Sequence, residues 1–249
     1  MSATRTSTVA PVEGEAFVTT RWSVVMKAAQ QDSPGAEEAL EKLCQTYWYP
    51  LYAFIRWRGN SHHEAEDLTQ GFFACLVDKN HLKDITVEGG KFRSYLLTLL
   101  KRFLANDWNR ECAQKRGGGK TILSLDDQDA ATRYAGEPAD HSTPETLFER
   151  RWAMTLLNQV MDRLRADRTA AGKGELFEAL RGHLSGAEKS VPHAELGARL
   201  GMSEGAIKKA VHDLRKRYGN LLRAEIAATV SDPEEVEEEI RHLIAVASR

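Results

Sequence analysis

The sequence lacks the features of a membrane-embedded or secreted, disulfide-stabilised protein. No apolar run approaches the roughly 18 residues that a membrane span needs, and the first residues have neither the basic start nor the apolar core of a secretion signal. The three cysteines, Cys44, Cys75 and Cys112, are too few and too scattered for a disulfide framework or a paired zinc site. We therefore expect a cytoplasmic protein without membrane insertion, whose cysteines pack as small apolar residues.

Strand patterns are also scarce, because no run of β-branched and aromatic residues alternates with polar ones. Apolar residues instead recur at intervals of three and four along most of the 249 residues. This periodicity predicts an all-α fold. The hydrophobic fraction of 42% is sufficient for one or two helical cores.

Catalytic signatures are missing as well. Gly119-Lys120-Thr121 resembles the end of a phosphate-binding loop, but Gln114 stands where that loop needs its first glycine, and a basic helical segment precedes it instead of an apolar strand. The eight histidines show no metal-ligand spacing. We therefore predict no enzyme activity, no cofactor and no metal.

The formal net charge of −2 conceals a strong segregation of charge along the chain. Residues 91–116 contain seven basic and two acidic residues, a net charge of +5. Residues 204–223 contain six basic and two acidic residues, a net charge of +4. Acidic stretches at 126–145 and 232–239 restore the balance. Two basic islands separated by an acidic connector require a common explanation.

Helix-start signals organise the chain. Ser61 and Glu64 have the spacing of a capping box, which predicts a helix reaching about residue 77. A long helix is predicted over residues 91–115, and the glycine- and aspartate-rich stretch that follows, up to residue 141, predicts a flexible linker. Thr143-Pro144 then predicts the start of the next helix.

Residues 192–218 have the pattern of a helix-turn-helix. Gly201 suits the turn and Ser203 the cap of the second helix, while five apolar residues can hold the two helices together: Leu196, Leu200, Ile207, Val211 and Leu214. With that face buried, helical spacing places Gly205, Lys208, Lys209, His212 and Lys216 outward. A solvated helix end is the plainer alternative, but the agreement of turn, cap and apolar spacing favours a helix that enters the major groove of DNA.

The first basic island mixes its cations with aromatic residues, a combination that can stack on single-stranded bases and neutralise phosphate. Phe92 and Phe103 lie on the apolar stripe and are interpreted as core, whereas Trp108 has polar neighbours and is interpreted as surface. The outward face of the helix at 61–77 is acidic at its start, which on composition alone indicates ordinary capping and compensation of the helix dipole.

Three segments, in this order, resemble bacterial sigma factors of the extracytoplasmic-function (ECF) type, which belong to the sigma-70 class. They are residues 47–54 with 64–73, residues 92–97 with 106–110, and residues 200–208, and the match covers most of residues 20–223. The resemblance implies a non-enzymatic subunit that binds core RNA polymerase and directs promoter recognition and transcription initiation.

The resemblance also assigns roles to three sets of residues. Contacts to core polymerase are expected from Glu66, Asp67, Gln70 and Phe73. Contacts to the melted promoter element are expected from Arg93, Lys101, Arg102, Asn106, Trp108, Arg110, Lys115 and Arg116. Contacts to the upstream duplex element are expected from Ser203, Glu204, Gly205, Lys208, Lys209, His212, Arg215 and Lys216. The implied partners are core RNA polymerase, duplex and single-stranded promoter DNA, and an anti-sigma factor or another regulator.

Two helical domains joined by a flexible linker follow from the same resemblance. We expect a disordered N-terminus at 1–20, a region 2-like domain for polymerase binding and promoter melting at 21–116, an acidic linker at 117–142, a region 4-like helix-turn-helix domain at 143–223, and a C-terminal helical extension at 224–249. The main alternative is a dimeric helix-turn-helix repressor or activator, which leaves the first basic island unexplained. A helical adaptor that binds only protein explains neither island.

Overall fold

The computed structural model describes residues 36–77, 91–105, 127–135, 143–184, 191–227, 230 and 232–248, and the following account is confined to them. Nine α-helices and no strand form within these ranges, which confirms the all-α prediction. The helices are α1 (Ala36–Trp57), α2 (His62–Val77), α3 (Phe92–Leu104), α4 (Asp127–Ala135), α5 (Pro144–Ala170), α6 (Gly174–Leu180), α7 (His193–Leu200), α8 (Glu204–Ala227) and α9 (Val236–Ala247). Short 3₁₀ turns at Arg181–His183 and Pro233–Glu235 follow α6 and precede α9.

The helix starts form as their sequences predict. The amide of Ser61 donates to Oε2 of Glu64 at 2.8 Å and the amide of Glu64 donates to Oγ of Ser61 at 3.3 Å, which completes the capping box of α2. Oγ1 of Thr143 accepts a hydrogen bond from the amide of Thr146 at 3.2 Å, with Pro144 in the first turn of α5. These local caps fix where α2 and α5 begin.

The structure differs from the prediction at one helix boundary and at one segment predicted as linker. The long helix predicted over residues 91–115 is wrong in its extent, because α3 ends at Leu104 and Ala105 has an extended backbone. Asn106 and Asp107 follow directly in the sequence, and such side chains compete for backbone hydrogen bonds and favour helix boundaries. Part of the segment predicted as linker forms α4, a helix that was not expected there.

Most of the helices share one hydrophobic core, which we call the main cluster. It contains Tyr47 on α1, Phe72 on α2, Phe103 on α3 and Trp152 on α5, together with apolar residues of α8 and α9. The rings of Phe72 and Phe103 meet edge to face, with centroids 5.6 Å apart. The main cluster therefore contains side chains from both sides of the predicted linker.

A smaller core, which we call the helix-turn-helix cluster, lies beneath α6, α7 and α8. Its buried members are Leu164, Phe177, Leu180, Leu196, Ile207, Val211 and Leu214. Helices α5 and α8 contribute buried residues to both clusters. They connect the helix-turn-helix to the remainder of the described structure.

The cysteines only partly follow the expectation that all three pack as thiols. Cys44 is a buried free thiol, and its burial raises its pKa to about 12, with Glu41 adding to the effect. Cys75 is disulfide-bonded, which corrects the expectation for that residue, because sequence separation alone says little about spatial proximity. Cys112 and the N-terminal segment 1–20 lie outside the described residues. Among the described helices, none combines the length and the apolar character that crossing a membrane requires.

Candidate nucleic-acid and polymerase surfaces

The helix-turn-helix depends on two glycines. Gly201 ends α7 in the left-handed backbone region, with φ of 64°, which allows the chain to reverse within a short turn. Gly197 lies where α7 meets that turn, and a Cβ atom there would come within 2.6 Å of the carbonyl oxygen of Met202. Only a residue without a side chain permits this approach.

The apolar face that joins α7 to α8 is buried as predicted. Leu196, Ile207, Val211 and Leu214 are buried members of the helix-turn-helix cluster, and the partly buried Leu200 packs against it. The opposite face of α8, formed by Gly205, Lys208, Lys209, His212 and Lys216, is exposed, as the helical spacing predicted. The geometry is that of a rigid helix with a cationic outer face.

The start of α8 is held by local contacts. Oγ of Ser203 accepts a hydrogen bond from the amide of Ala206 at 3.2 Å. Glu204 forms an ion pair with Lys208 at 2.7 Å, and this contact lowers the pKa of the Glu204 carboxyl group. Lys209 and His212 remain the exposed donors next to this pair.

Arg215 has a structural contact within the same helix-turn-helix. Its Nε and Nη2 atoms donate to the carbonyl oxygen of His183 at 3.2 and 2.9 Å. The His183 ring is buried and stacks on His193, with centroids 4.9 Å apart. Burial, followed by the charges of His193 and Arg215, lowers the pKa of His183 below its ordinary value of 6.5. Arg215 thus braces α8 against the segment after α6.

A cavity of about 520 Å³ lies beside this surface, between α5, α6 and α8. Its apolar wall includes Phe177 and Leu214, and four cations and one carboxylate line it: Arg168, Lys173, Lys216, Arg217 and Asp213. Arg168 and Lys173 were not among the predicted contacts, because they come from a different helix and a turn far from α8 in sequence. The cationic surface is therefore wider than one helix face.

The first basic island is described only along α3. Arg102 is exposed, as expected for a nucleic-acid contact, whereas Arg93 is buried and its guanidinium group lies 4.6 Å from the ring centre of Trp152. Burial lowers the pKa of Arg93, and the nearby Glu149 opposes that shift. The remaining predicted contacts lie outside the described residues: Asn106, Trp108, Arg110, Lys115 and Arg116.

Carboxylates of the C-terminal half pair with the cations of this island. Lys101 contacts Glu145 at 2.7 Å, which lowers the pKa of Glu145, and Arg93 pairs with Glu239 and lies 3.7 Å from Glu149. Lys91 belongs to the first basic island but is not among the predicted contacts, and it lies 2.7 Å from Glu239. No local sequence signal could have paired Lys91 with Glu239, because 148 positions separate the two residues in the sequence (239 − 91).

The comparisons with known proteins decide the family. A family model described as ECF sigma factor matches residues 23–224, which is most of the chain. This chain belongs to the ECF sigma factor family. Comparison with curated proteins and with solved structures gives no match. A sigma factor acts in transcription initiation and belongs to a non-enzymatic class of transcription regulators.

In this sigma factor, α2 carries the residues expected to meet core polymerase. Asp67 and Gln70 are exposed, whereas Glu66 is buried and Phe73 is buried in the main cluster, with its ring centre 6.0 Å from that of Phe72. The exposed acidic and amide groups thus form the accessible part of the predicted polymerase surface. None of the three predicted contact sets is tested by the family match, and all remain predictions.

The start of α2 in this sigma factor also contains a polar network. Glu66 lies 3.2 Å from Nε2 of His62 and 3.7 Å from Nδ1 of His63, and the other His62 nitrogen lies 2.8 Å from the hydroxyl group of Tyr52. The three potential ligand atoms are within 4.8 Å of one another, a separation that a metal ion could bridge. The contacts of Glu66 with the two histidine rings already account for the arrangement, so we assign the network a structural role in holding Glu66.

Proposed function

We propose that this ECF sigma factor binds core RNA polymerase and directs it to promoters, with α8 reading upstream duplex DNA and α3 contacting the melted strand. The observation that supports the proposal best is the exposed face of α8, where Gly205, Lys209 and His212 project from a helix held by a buried apolar face. The same face carries Lys208 and Lys216, so phosphate and base contacts can come from one surface.

Gly205 gives this face a specific geometry. Gly205 is the second residue of α8, and a glycine in a helix costs up to about 1 kcal/mol relative to alanine, so its presence calls for a reason. A Cβ atom at Gly205 would meet nothing within 4 Å, so packing inside the protein does not require the glycine. A close approach of DNA to the backbone of α8 supplies the missing reason.

Run-off transcription tests the proposal as a whole. Purified bacterial core RNA polymerase would be incubated with fragmented genomic DNA of the source organism, with and without this protein. We expect discrete start sites that depend on the protein and weaken steeply with salt, because phosphate contacts release counterions. If no start site depended on the protein and it also failed to bind core polymerase, the proposal would be wrong. A dimer that footprinted duplex DNA alone would then indicate a repressor or activator.

Substitution on α8 tests promoter reading by itself. Lys209→Gln removes an exposed cation from the proposed DNA face and should weaken promoter-dependent initiation by roughly tenfold, the effect of losing one good contact. Lys42→Gln is the matched control, because Lys42 is an exposed lysine on α1, away from α8, and pairs with Glu38 at 2.7 Å. If Lys209→Gln and Lys42→Gln supported equal promoter-dependent initiation, Lys209 would not belong to the proposed DNA interface.

Substitution on α2 tests the polymerase contact. Asp67→Asn keeps the size of an exposed side chain and removes its charge, so the variant should fold normally but bind core polymerase less tightly. Asp162→Asn is the control, since Asp162 is an exposed aspartate on α5 outside the proposed surface. Native gel or sedimentation binding to core polymerase gives the comparison, and unchanged affinity of Asp67→Asn would contradict the assignment.

A further inference from the structure

The cations of α3 and Lys91, the residue just before it, face a set of carboxylates from the C-terminal half. Glu145 and Glu149 on α5 and Glu239 on α9 form this set, which we call the acidic patch. Three contacts join it to α3: Lys101 with Glu145 and Lys91 with Glu239, each at 2.7 Å, and Arg93 with Glu239. Glu239 thus pairs with two of the three cations, and Glu149 lies 3.7 Å from one of them, Arg93.

The acidic patch is held in place by the packing of α9 against α5 and α8. Glu239 is fully buried, and Leu243, one turn further along α9, is buried in the main cluster. His242, also on α9, lies 2.9 Å from Glu149, and Arg223 on α8 lies 2.8 Å from Glu237. These contacts hold α9 against α5 and α8, so the carboxylates are presented to α3 by packed helices.

Carboxylates and phosphates satisfy lysine and arginine through the same charge-assisted hydrogen bonds. Lys101 and Arg93 are both among the residues proposed to contact the melted promoter strand, yet each already has an acidic partner. Arg93 is only 4% exposed, so a phosphate can reach it only after the contact with α5 and α9 opens. The acidic patch and the DNA strand therefore require the same cations.

We propose that the acidic patch of α5 and α9 is an internal substitute for promoter phosphates, which occupies the cations of α3 in the free protein and must be displaced before α3 contacts single-stranded DNA. The C-terminal helix is thereby an autoinhibitory element. This inference rests on the proposed function, because it assumes that α3 meets the melted strand. It explains why a helix with exposed basic residues such as Arg102 is also covered by acidic groups from a distant part of the chain.

Binding of a fluorescein-labelled oligodeoxythymidine to the full-length protein, without polymerase, tests the proposal by fluorescence anisotropy. Glu145→Gln with Glu239→Gln removes two carboxylates of the patch. The matched control, Glu234→Gln with Glu238→Gln, makes the same change in net charge at two exposed carboxylates near and on α9. We expect the patch variant to bind on the order of tenfold more tightly than the wild type, and the control to gain much less.

Glu239 is buried, so its substitution can also impair folding, and a second variant covers that case. Glu145 forms an exposed pair, and Glu145→Gln should fold normally and still raise oligonucleotide affinity. Adding Lys101→Gln should abolish that gain, since the gain depends on the released cation. The proposal would be overturned if Glu145→Gln bound the oligonucleotide with wild-type affinity and a folded Glu145→Gln, Glu239→Gln variant did the same. It would also be overturned if the Glu234→Gln, Glu238→Gln control gained as much affinity as the patch variant.

The oligonucleotide-binding test and the run-off transcription test can fail independently. If the wild type supports promoter-dependent run-off transcription and the patch variants bind the oligonucleotide no better, only autoinhibition fails. If run-off transcription fails while the patch variants gain affinity, the masking of α3 stands as a binding property and the polymerase role fails.

Discussion

Two glycines of the helix-turn-helix have opposite surroundings, and they should respond oppositely to the same change. Gly197→Ala places a Cβ atom 2.6 Å from a backbone carbonyl oxygen that cannot move aside, so we expect a loss of about 1–3 kcal/mol of stability. Gly205→Ala meets open space and should raise stability by about 0.5–1 kcal/mol. Urea unfolding followed by circular dichroism measures both.

Gly205→Ala also separates stability from function. If the glycine allows DNA to approach α8, the more stable variant should initiate less efficiently from its promoters, whereas a glycine without function would leave initiation unchanged. Run-off transcription with saturating core polymerase makes this comparison. A variant that is both more stable and fully active would contradict the close approach.

His183 predicts a pH dependence of stability. Its pKa in the folded chain lies below 6.5, because burial and then His193 and Arg215 disfavour the charged ring. As the pH falls below 6.5, the unfolded chain takes up the proton first, so this group makes the folded state progressively less stable until the folded pKa is reached. Above 6.5 the ring is neutral in both states and the effect vanishes.

The contribution of His183 can be isolated by substitution. His183→Gln should flatten the decline of the urea midpoint between neutral and mildly acidic pH relative to the wild type. Parallel declines in the wild type and the variant would show that other groups cause the pH dependence.

At the scale of elements, α9 is part of the core and not a dispensable extension. Leu243 is fully buried in the main cluster, whereas its neighbour Ile244 is 52% exposed. Leu243→Ala should therefore cost about 2–5 kcal/mol of stability, and Ile244→Ala should change stability by less than about 0.5 kcal/mol. Thermal unfolding of both variants checks this, and equal effects would show that α9 is not packed as described.

The sequence was most informative about elements whose causes are local. The capping box of Ser61 and Glu64, the proline start of α5, and the turn at Gly201 each depend on residues a few positions apart, and the structure has all three. The outward face of α8 followed from helical spacing alone.

The sequence was least informative where the cause is a partner distant along the chain. The sequence suggested that Arg93 is a surface cation. In the structure its guanidinium group lies over the ring of Trp152 and pairs with Glu239. Helix α4 was not predicted because its apolar periodicity is weak. Contacts with other helices help to stabilise it, such as the Arg56 guanidinium group, which lies 4.9 Å from the ring centre of Tyr134. Periodicity predicts which face of a helix is apolar, but not which charged residue on another helix will face it.

At the scale of the whole molecule, the described helices should unfold as one unit. Leu156 lies in the main cluster, and Leu196 on α7 lies in the helix-turn-helix cluster, but α5 and α8 contribute buried residues to both. A loss of stability in the main cluster should therefore reach α7, although two independent domains joined by a linker would not transmit it.

Leu156→Ala tests this coupling with hydrogen exchange as the readout. The substitution should cost about 2–5 kcal/mol, and the slowest-exchanging amides of α7 should lose the same free energy of protection as those of α1. Met154→Ala is the control, because Met154 lies on the same helix but is 37% exposed. If protection fell in α1 and stayed unchanged in α7, the two halves would unfold independently, as the sequence-based division at residues 117–142 predicts. Loss in both would instead mean that separating α8, the helix proposed to read the promoter, from α3 requires breaking a shared core. The binding energy of polymerase is the expected source for that step.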